Sequence, residues 1–236
     1  MTANNEPLWC VVPAAGRGAR YAADVPKQYV KIAGKPVLRW TLERLAAHPR
    51  VAGLVVVLSS DDRYWSGDAE IDGKPLLKVI GGSERSDSVL AGLRALSTRV
   101  DPCSFVLVHD AARPCVTPAD INALIIQGTA AGGALLAAPV RDTLKRSDAS
   151  RRVSATEPRE SLWCALTPQM FRLGELVAAL ESSTAQGIKV RDEAMAMELA
   201  GFQPLLVEGR ADNLKLTTSS DTGAIEYFLL HGDNQA

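Results

Sequence analysis

The stretch VVPAAGRGARYAADVPKQYV, Val11 to Val30, sets an apolar run against a glycine-containing turn and then supplies two cations, Arg20 and Lys27. The run reads as the end of a buried strand. Gly16 and Gly18 allow tight backbone turns, and the small Ala14 and Ala15 let a ligand approach the main chain. Successive N–H groups in such a turn form a concave anion-binding nest. A dinucleotide fingerprint would need a third glycine where Tyr21 stands and a carboxylate near Leu38, and neither is present. A phosphate loop would need Gly-Lys-Ser/Thr, which is also absent. The glycine pair alone fits a plain turn equally well. Arg20 and Lys27 suit in-line displacement at phosphorus, where negative charge builds in the transition state.

Outward from this turn, short apolar runs alternate with amphipathic stretches. Leu8–Val12, LVVVLSSDD from Leu54, LLKVIGG from Leu76, FVLVHDAARP from Phe105 and ALLAAPV from Ala134 read as strands. Helices are predicted over Pro36–Ala46 and Ser86–Leu96 from apolar spacings of three and four. Thr117, Pro118 and Asp120 form a helix-start signature of cap, first-turn proline and capping box. Further helices are expected near 173–180, 193–200 and 221–230, with strands at PLLVEG from Pro204 and NLKLTT from Asn213. The alternation predicts an α/β fold with a mostly parallel sheet flanked by helices. The rhythm breaks at RDTLKRSDASRRVSATEPRESLWCAL, 141–166, an arginine-rich alternating segment. It predicts a protruding β-arm over about 141–165 on a single domain spanning 1–236. Such an arm is too small to be stable alone, so a second subunit is the expected partner, giving a homodimer.

The chain has 236 residues, enough for a substantial core, with 26 Lys+Arg against 27 Asp+Glu and a net charge of −1. There is no global basic field of the kind nucleic-acid binders use, so an anion site has to be built locally. Cys10, Cys103, Cys115 and Cys164 form no CxxC pair; buried reduced thiols are expected. No basic-then-apolar leader opens MTANNEPLWC, and no apolar run reaches the ~18 residues of a membrane span. A cytoplasmic location is the expectation, without membrane or nucleic-acid partners.

No Ser-His-Asp set, HExxH or carboxylate pair stands out, and His48, His109 and His231 lie in unrelated contexts. A phosphomonoester acceptor makes a protein base unnecessary: its second pKa lies near ~6, so at neutral pH it is already an anionic nucleophile.

The segments VVPAAGRGARYAADVPKQY, GGSERSDSVLAGL, VLVHDAARPCV, APVRDTLKR, ALTPQ and VEGRADNLKLT, in order from Val11 to Thr217, resemble the successive signatures of the 2-C-methyl-D-erythritol 4-phosphate cytidylyltransferase family. The resemblance implies CMP transfer from CTP to that polyol phosphate in isoprenoid precursor biosynthesis, with Mg²⁺ held mainly by the triphosphate. It implies that Pro13, Ala14, Ala15, Gly16 and Gly18 wrap the CTP phosphates, that Gly82 and Ser88 meet cytosine and ribose, and that Ala111 lies against the ribose. Arg20 and Lys27 would stabilise the pentavalent α-phosphorus. Asp110, Arg113, Thr143, Thr167, Asp212 and Lys215 match acceptor-binding positions, and Arg159 matches an arginine that crosses from the partner's arm to grip the acceptor phosphate.

The sequence departs from the family pattern in three segments. Ser83 stands where an acidic residue is common, Glu157-Pro158 replaces Val-Asp before Arg159, and Arg191 replaces the threonine of Thr-Asp-Glu. Ribitol 5-phosphate cytidylyltransferases share the opening motif, and a non-catalytic nucleotide-binding domain on the same fold is a third reading.

Overall fold

Val51–Leu58 is buried along almost its whole length, and its alternate side chains feed two separate cores. Leu54, Val56 and Leu58 pack on one side with Leu38, Leu42 and Leu45; Val55 and Val57 pack on the other with Val89, Leu93 and Leu96. A strand covered on both faces must belong to a central sheet between helical layers. The structure, a computed structural model, describes residues 7–16 and 25–232.

Among the described residues, twelve strands and six α-helices follow in chain order. They are β1 (Leu8–Pro13), β2 (Lys31–Ile32), β3 (Lys35–Pro36), α1 (Val37–Ala46), β4 (Val51–Leu58), β5 (Glu70–Ile71), β6 (Lys74–Ile80) and α2 (Arg85–Leu96). Then come β7 (Phe105–Val108), α3 (Pro118–Ala131), β8 (Ala134–Pro139), β9 (Leu144–Ser147), β10 (Val153–Glu157) and β11 (Trp163–Arg172). The chain closes with α4 (Leu173–Ala185), α5 (Glu193–Leu199), β12 (Leu205–Glu208) and α6 (Thr222–His231).

Eight strands make one sheet in the order β12-β8-β11-β7-β1-β4-β6-β5. The pairs β1–β4, β1–β7, β4–β6 and β12–β8 are parallel, whereas β11 runs antiparallel between β7 and β8, and β5 pairs antiparallel with β6. From β1 the chain builds outward through β4 and β6, then returns to place β7 on the other side of β1. That reversal opens a crevice at the carboxyl ends of β1 and β7, where ligands of doubly wound sheets bind. Helix α3 starts as its sequence predicts: Thr117 Oγ1 accepts from the Asp120 N–H at 3.2 Å, and the Asp120 carboxylate accepts from the Thr117 N–H. Gly132 ends it at φ +81°, a conformation that a side chain would strain.

Several expectations need correction. NLKLTT forms no strand: of its backbone groups, Leu216 N–H donates to Ala112 O at 2.8 Å, but no ladder develops. Its apolar side chains instead join a third core with Ile32, Val37, Ala112, Ile225 and Leu229 under α6. The arm is shorter than 141–165: β9 and β10 form a separate two-stranded sheet, while Trp163–Ala165 already pair with β8. Strand β11 then runs on through the middle of the main sheet, with a register shift between Ala165 and Gln169, where Pro168 has no N–H to donate. Cys103 and Cys164 are exposed, one in the loop before β7 and the other at the solvent end of β11; Cys10 and Cys115 are buried. Burial pushes the Cys115 thiol up to about 12. Among the described residues no helix is long and apolar enough to cross a membrane.

Candidate active site

Three turns leave the carboxyl ends of parallel strands on either side of the switch point and meet in one cleft: Ala14–Gly16 after β1, Gly81–Glu84 after β6, and His109–Arg113 after β7. Pro13, Ala14, Ala15, Gly16, Gly82, Ser88, Ala111, Asp110, Lys27 and Lys215 all line it, so most of the sequence-derived positions converge. Gly18 and Arg20 lie outside the described residues. Ala14 is fixed by its N–H to Val57 O at 2.8 Å and by the Gln28 side-chain amide, which donates to Ala14 O at 2.7 Å. That second bond ties the Lys27–Tyr29 turn to the end of β1. Tyr29 anchors the turn's other side through its hydroxyl on Asp62 at 2.8 Å.

The Gly82 turn passes so close to α2 that a Cβ there would come within 2.4 Å of the Asp87 Cβ. Glycine is needed for that approach, and it leaves the backbone of the lip facing the cleft. Helix α2 begins with Arg85, capped by Glu84 and Asp87. Ser88 is buried, with its hydroxyl donating to Glu84 O at 3.2 Å.

On the opposite wall Asp110, nearly buried, is gripped by cations. Arg85 Nε donates to Oδ1 at 2.9 Å, Lys215 Nζ to Oδ2 at 2.6 Å, and Arg113 Nε stands 3.6 Å from Oδ2. Burial alone would push this carboxyl up, but Arg85, Lys215 and Arg113 hold it well below the usual carboxylate range. Arg113 also donates from a terminal nitrogen to Asn213 O at 2.7 Å. Lys215 is carried by a segment whose neighbour Leu216 is fully buried in the third core, so its ammonium has a fixed origin.

Other predicted positions sit differently. Thr167 is buried beneath Asp110: its Oγ1 accepts from the Asp110 N–H at 3.1 Å and lies 3.0 Å from His109 Nδ1. Asp212 is held by Arg210, whose Nε donates to it at 2.8 Å. Thr143 and Arg159 do not line the Asp110 cleft of their own chain; they flank a groove on the arm with Thr156 and Pro158. Arg159 there donates to Arg141 O. Arg85 and its partner Glu193 are the residues that sequence reasoning passed over; their charges, in GGSERSDS and RDEAMAME, carry no periodic signal that separates them from a solvated helix face.

A doubly wound sheet with backbone turns and cations at its switch point is a Rossmann-like nucleotidyltransferase fold. The family model for 2-C-methyl-D-erythritol 4-phosphate cytidylyltransferase (IspD) matches residues 8–231. Proteins of that name from Stenotrophomonas maltophilia and Xylella fastidiosa are 54% and 52% identical over 223 residues, each alignment covering 94% of this chain and 96% of the relative. The crystal structure of the Francisella tularensis enzyme of that name superposes with a TM-score of 0.81 at 31% identity, covering 94% of this chain and all of its own. That of a 4-diphosphocytidyl-2C-methyl-D-erythritol synthase gives 0.82 at 36%, covering 95% and 99%. The chain belongs to the 2-C-methyl-D-erythritol 4-phosphate cytidylyltransferase family.

Proposed function

We propose that the chain transfers the CMP moiety of CTP to 2-C-methyl-D-erythritol 4-phosphate, giving 4-diphosphocytidyl-2-C-methyl-D-erythritol and pyrophosphate. An acceptor phosphate oxygen attacks the α-phosphorus; the bond from that phosphorus to the bridging oxygen breaks, and pyrophosphate leaves with its electron pair. The observation that carries this reading is that the described residues of the cleft furnish cations, while its carboxylates are already engaged, Glu84 by Lys189. His109 is buried with both ring nitrogens engaged, His48 is buried against Asn122, and Asp110 is an ionised carboxylate bound to Arg85 and Lys215. A nucleophile that arrives ionised needs no protein base.

Within this reading Pro13–Gly16, with Gly18, cradle the triphosphate, while Gly82, Ser88 and Ala111 receive the nucleoside. Lys27 and Arg20 meet charge developing at the α-phosphorus. Asp110, Arg113, Thr167, Asp212 and Lys215 form the acceptor side, completed by Thr143 and by Arg159 from a partner's arm in a homodimer of single-domain subunits. Exposure of the β9–β10 hairpin supports that assembly, because a two-stranded sheet is marginal without a surface to rest on.

Enzymes of this family use Mg²⁺. No group of three His, Cys, Asp or Glu among the described residues could hold a metal, and both Asp110 oxygens already accept from cations. The side chains therefore fit no protein cage, and the ion belongs with phosphate oxygens and water.

The test is pyrophosphate release from CTP with a panel of polyol phosphates, the product identified by ³¹P NMR. Turnover with methylerythritol phosphate well above that with ribitol 5-phosphate is expected. The reverse preference would transfer the assignment to the ribitol enzyme, and CTP binding without turnover on any acceptor would leave a binding domain.

A further inference from the structure

Glu193 opens α5 with a carboxylate that is 1% exposed, and both of its oxygens accept from the terminal nitrogens of Arg85, at 2.6 and 3.1 Å. The remaining nitrogen of that guanidinium, Nε, is the one on Asp110. A single arginine thus joins the nucleotide lip, which ends at its own Cα, to the acceptor wall. We infer that Glu193 is a positioning residue for the reaction: by occupying the fork of Arg85 it reserves one oxygen of Asp110 for Lys215 and so sets the acceptor side of the cleft. This deepens the cytidylyltransferase reading and rests on it.

The physical argument is a competition for a fork. A guanidinium prefers to meet a carboxylate through two parallel N–H···O bonds. With Glu193 in place, that geometry is satisfied at the buried end, and Arg85 offers Asp110 only Nε. Asp110 Oδ2 then remains for the Lys215 ammonium at 2.6 Å. Neutralise Glu193 and the fork turns to Asp110, covering both oxygens and releasing Lys215 from its anchor.

Glu193 is itself held rigidly. Asp192 caps α5 by accepting from the Met195 N–H at 2.9 Å, and its other oxygen accepts from Gln169 Nε2 at 3.1 Å. Gln169, 1% exposed, completes the clamp by accepting from the Ala194 N–H at 2.7 Å. The backbone from which the Glu193 side chain extends is therefore fixed on both sides. Arg113 is the third cation at Asp110, but its Nε stands 3.6 Å away, beyond hydrogen-bond length, and one of its terminal nitrogens is held by Asn213 O.

The experiment measures KM for methylerythritol phosphate, kcat and the calorimetric Kd for CTP in Glu193→Gln, Arg85→Lys, Asp110→Asn and the Glu193→Gln/Asp110→Asn double variant. Rates are normalised to CTP-binding sites, so that a loss of folded protein does not count. Glu193→Gln is expected to raise the acceptor KM about tenfold and lower kcat, with the CTP Kd within about twofold. In the Asp110→Asn background the same change adds little, because the group it positions is gone. Arg85→Lys, whose ammonium cannot serve both carboxylates, moves in the same direction and decides the matter if Glu193→Gln does not fold. An unchanged acceptor KM per site, or additive effects in the double variant, overturns the inference. Wild-type protein that releases no pyrophosphate overturns the reading of the site, and this inference with it.

Discussion

The Thr167 hydroxyl lies 3.0 Å from Nδ1 of His109, while Nε2 of the same ring lies 2.9 Å from the Arg113 carbonyl. A carbonyl can only accept, so Nε2 carries the proton and Nδ1 accepts from Thr167. The Thr167 oxygen in turn accepts from the Asp110 N–H. This chain locks the HDAAR turn from beneath and commits the Thr167 proton to the histidine. Thr167 therefore faces any substrate only as an acceptor.

Stability should fall in acid because of this ring. Burial pushes the His109 pKa down to about 4, so the folded state refuses a proton that the unfolded chain takes up near 6.5. The contribution is complete above about pH 6.5 and is lost as pH falls from there toward about 4. Its size is a few kcal/mol at most. His48 is shifted the same way, by burial, and adds to the slope. Urea midpoints between pH 4 and 7 should decline steadily for the wild type and less steeply for His109→Gln. Equal slopes would locate the effect elsewhere.

Thr167→Val and Thr167→Ser should separate cleanly. Valine matches the shape but leaves both His109 Nδ1 and the Asp110 N–H buried without partners, at about 1–3 kcal/mol each. Serine keeps the hydroxyl and should cost roughly 1 kcal/mol or less. Denaturant titration reads the difference. If valine is no worse than serine, the hydroxyl does not hold the turn.

The central strands and helices α1 to α3 were legible because burial on both faces and helical periodicity leave local marks, and the turn after β1 because of its glycines. The Asp110 cluster was only half legible. Lys215 and Asp110 meet across 105 positions, and Arg85 and Glu193 across 108, with no sequence pattern to pair them. Motif likeness gave roles to Asp110 and Lys215, whereas Arg85 and Glu193 lie within family-like segments that gave them none. NLKLTT misled for a different reason: its alternation suits a strand, yet it joins no sheet, and its leucines pack under α6 instead. Strand β11 was obscured by Pro168 and by the polar stretch before it, which reads as arm.

Lys27 should act on turnover more than on nucleotide affinity. Its turn is pinned by Gln28 to Ala14 and by Tyr29 to Asp62, which fixes the backbone that carries the ammonium at the edge of the cleft. A charge positioned for the pentavalent state contributes little to the ground state. Lys27→Ala should lower kcat about a hundredfold while the CTP Kd weakens only severalfold. Single-turnover rates with calorimetric CTP binding check this, and parallel losses in both would reduce Lys27 to a binding residue.

Arg159 tests whether a complete site needs two chains. It sits at the foot of the β9–β10 hairpin in a groove separate from the Asp110 cleft, so its own chain does not bring it to Lys215. Arg159→Ala should raise the acceptor KM and leave the CTP Kd unchanged. Mixing it with Lys27→Ala protein supplies the decisive case, because a mixed dimer has one site in which both residues are intact. Random exchange puts half the dimers in that state, so activity should recover to about a quarter of wild type. Subunit exchange is followed independently with a size tag on one variant. Exchange without recovery would place Arg159 outside the neighbouring site and leave the arm with a purely structural task.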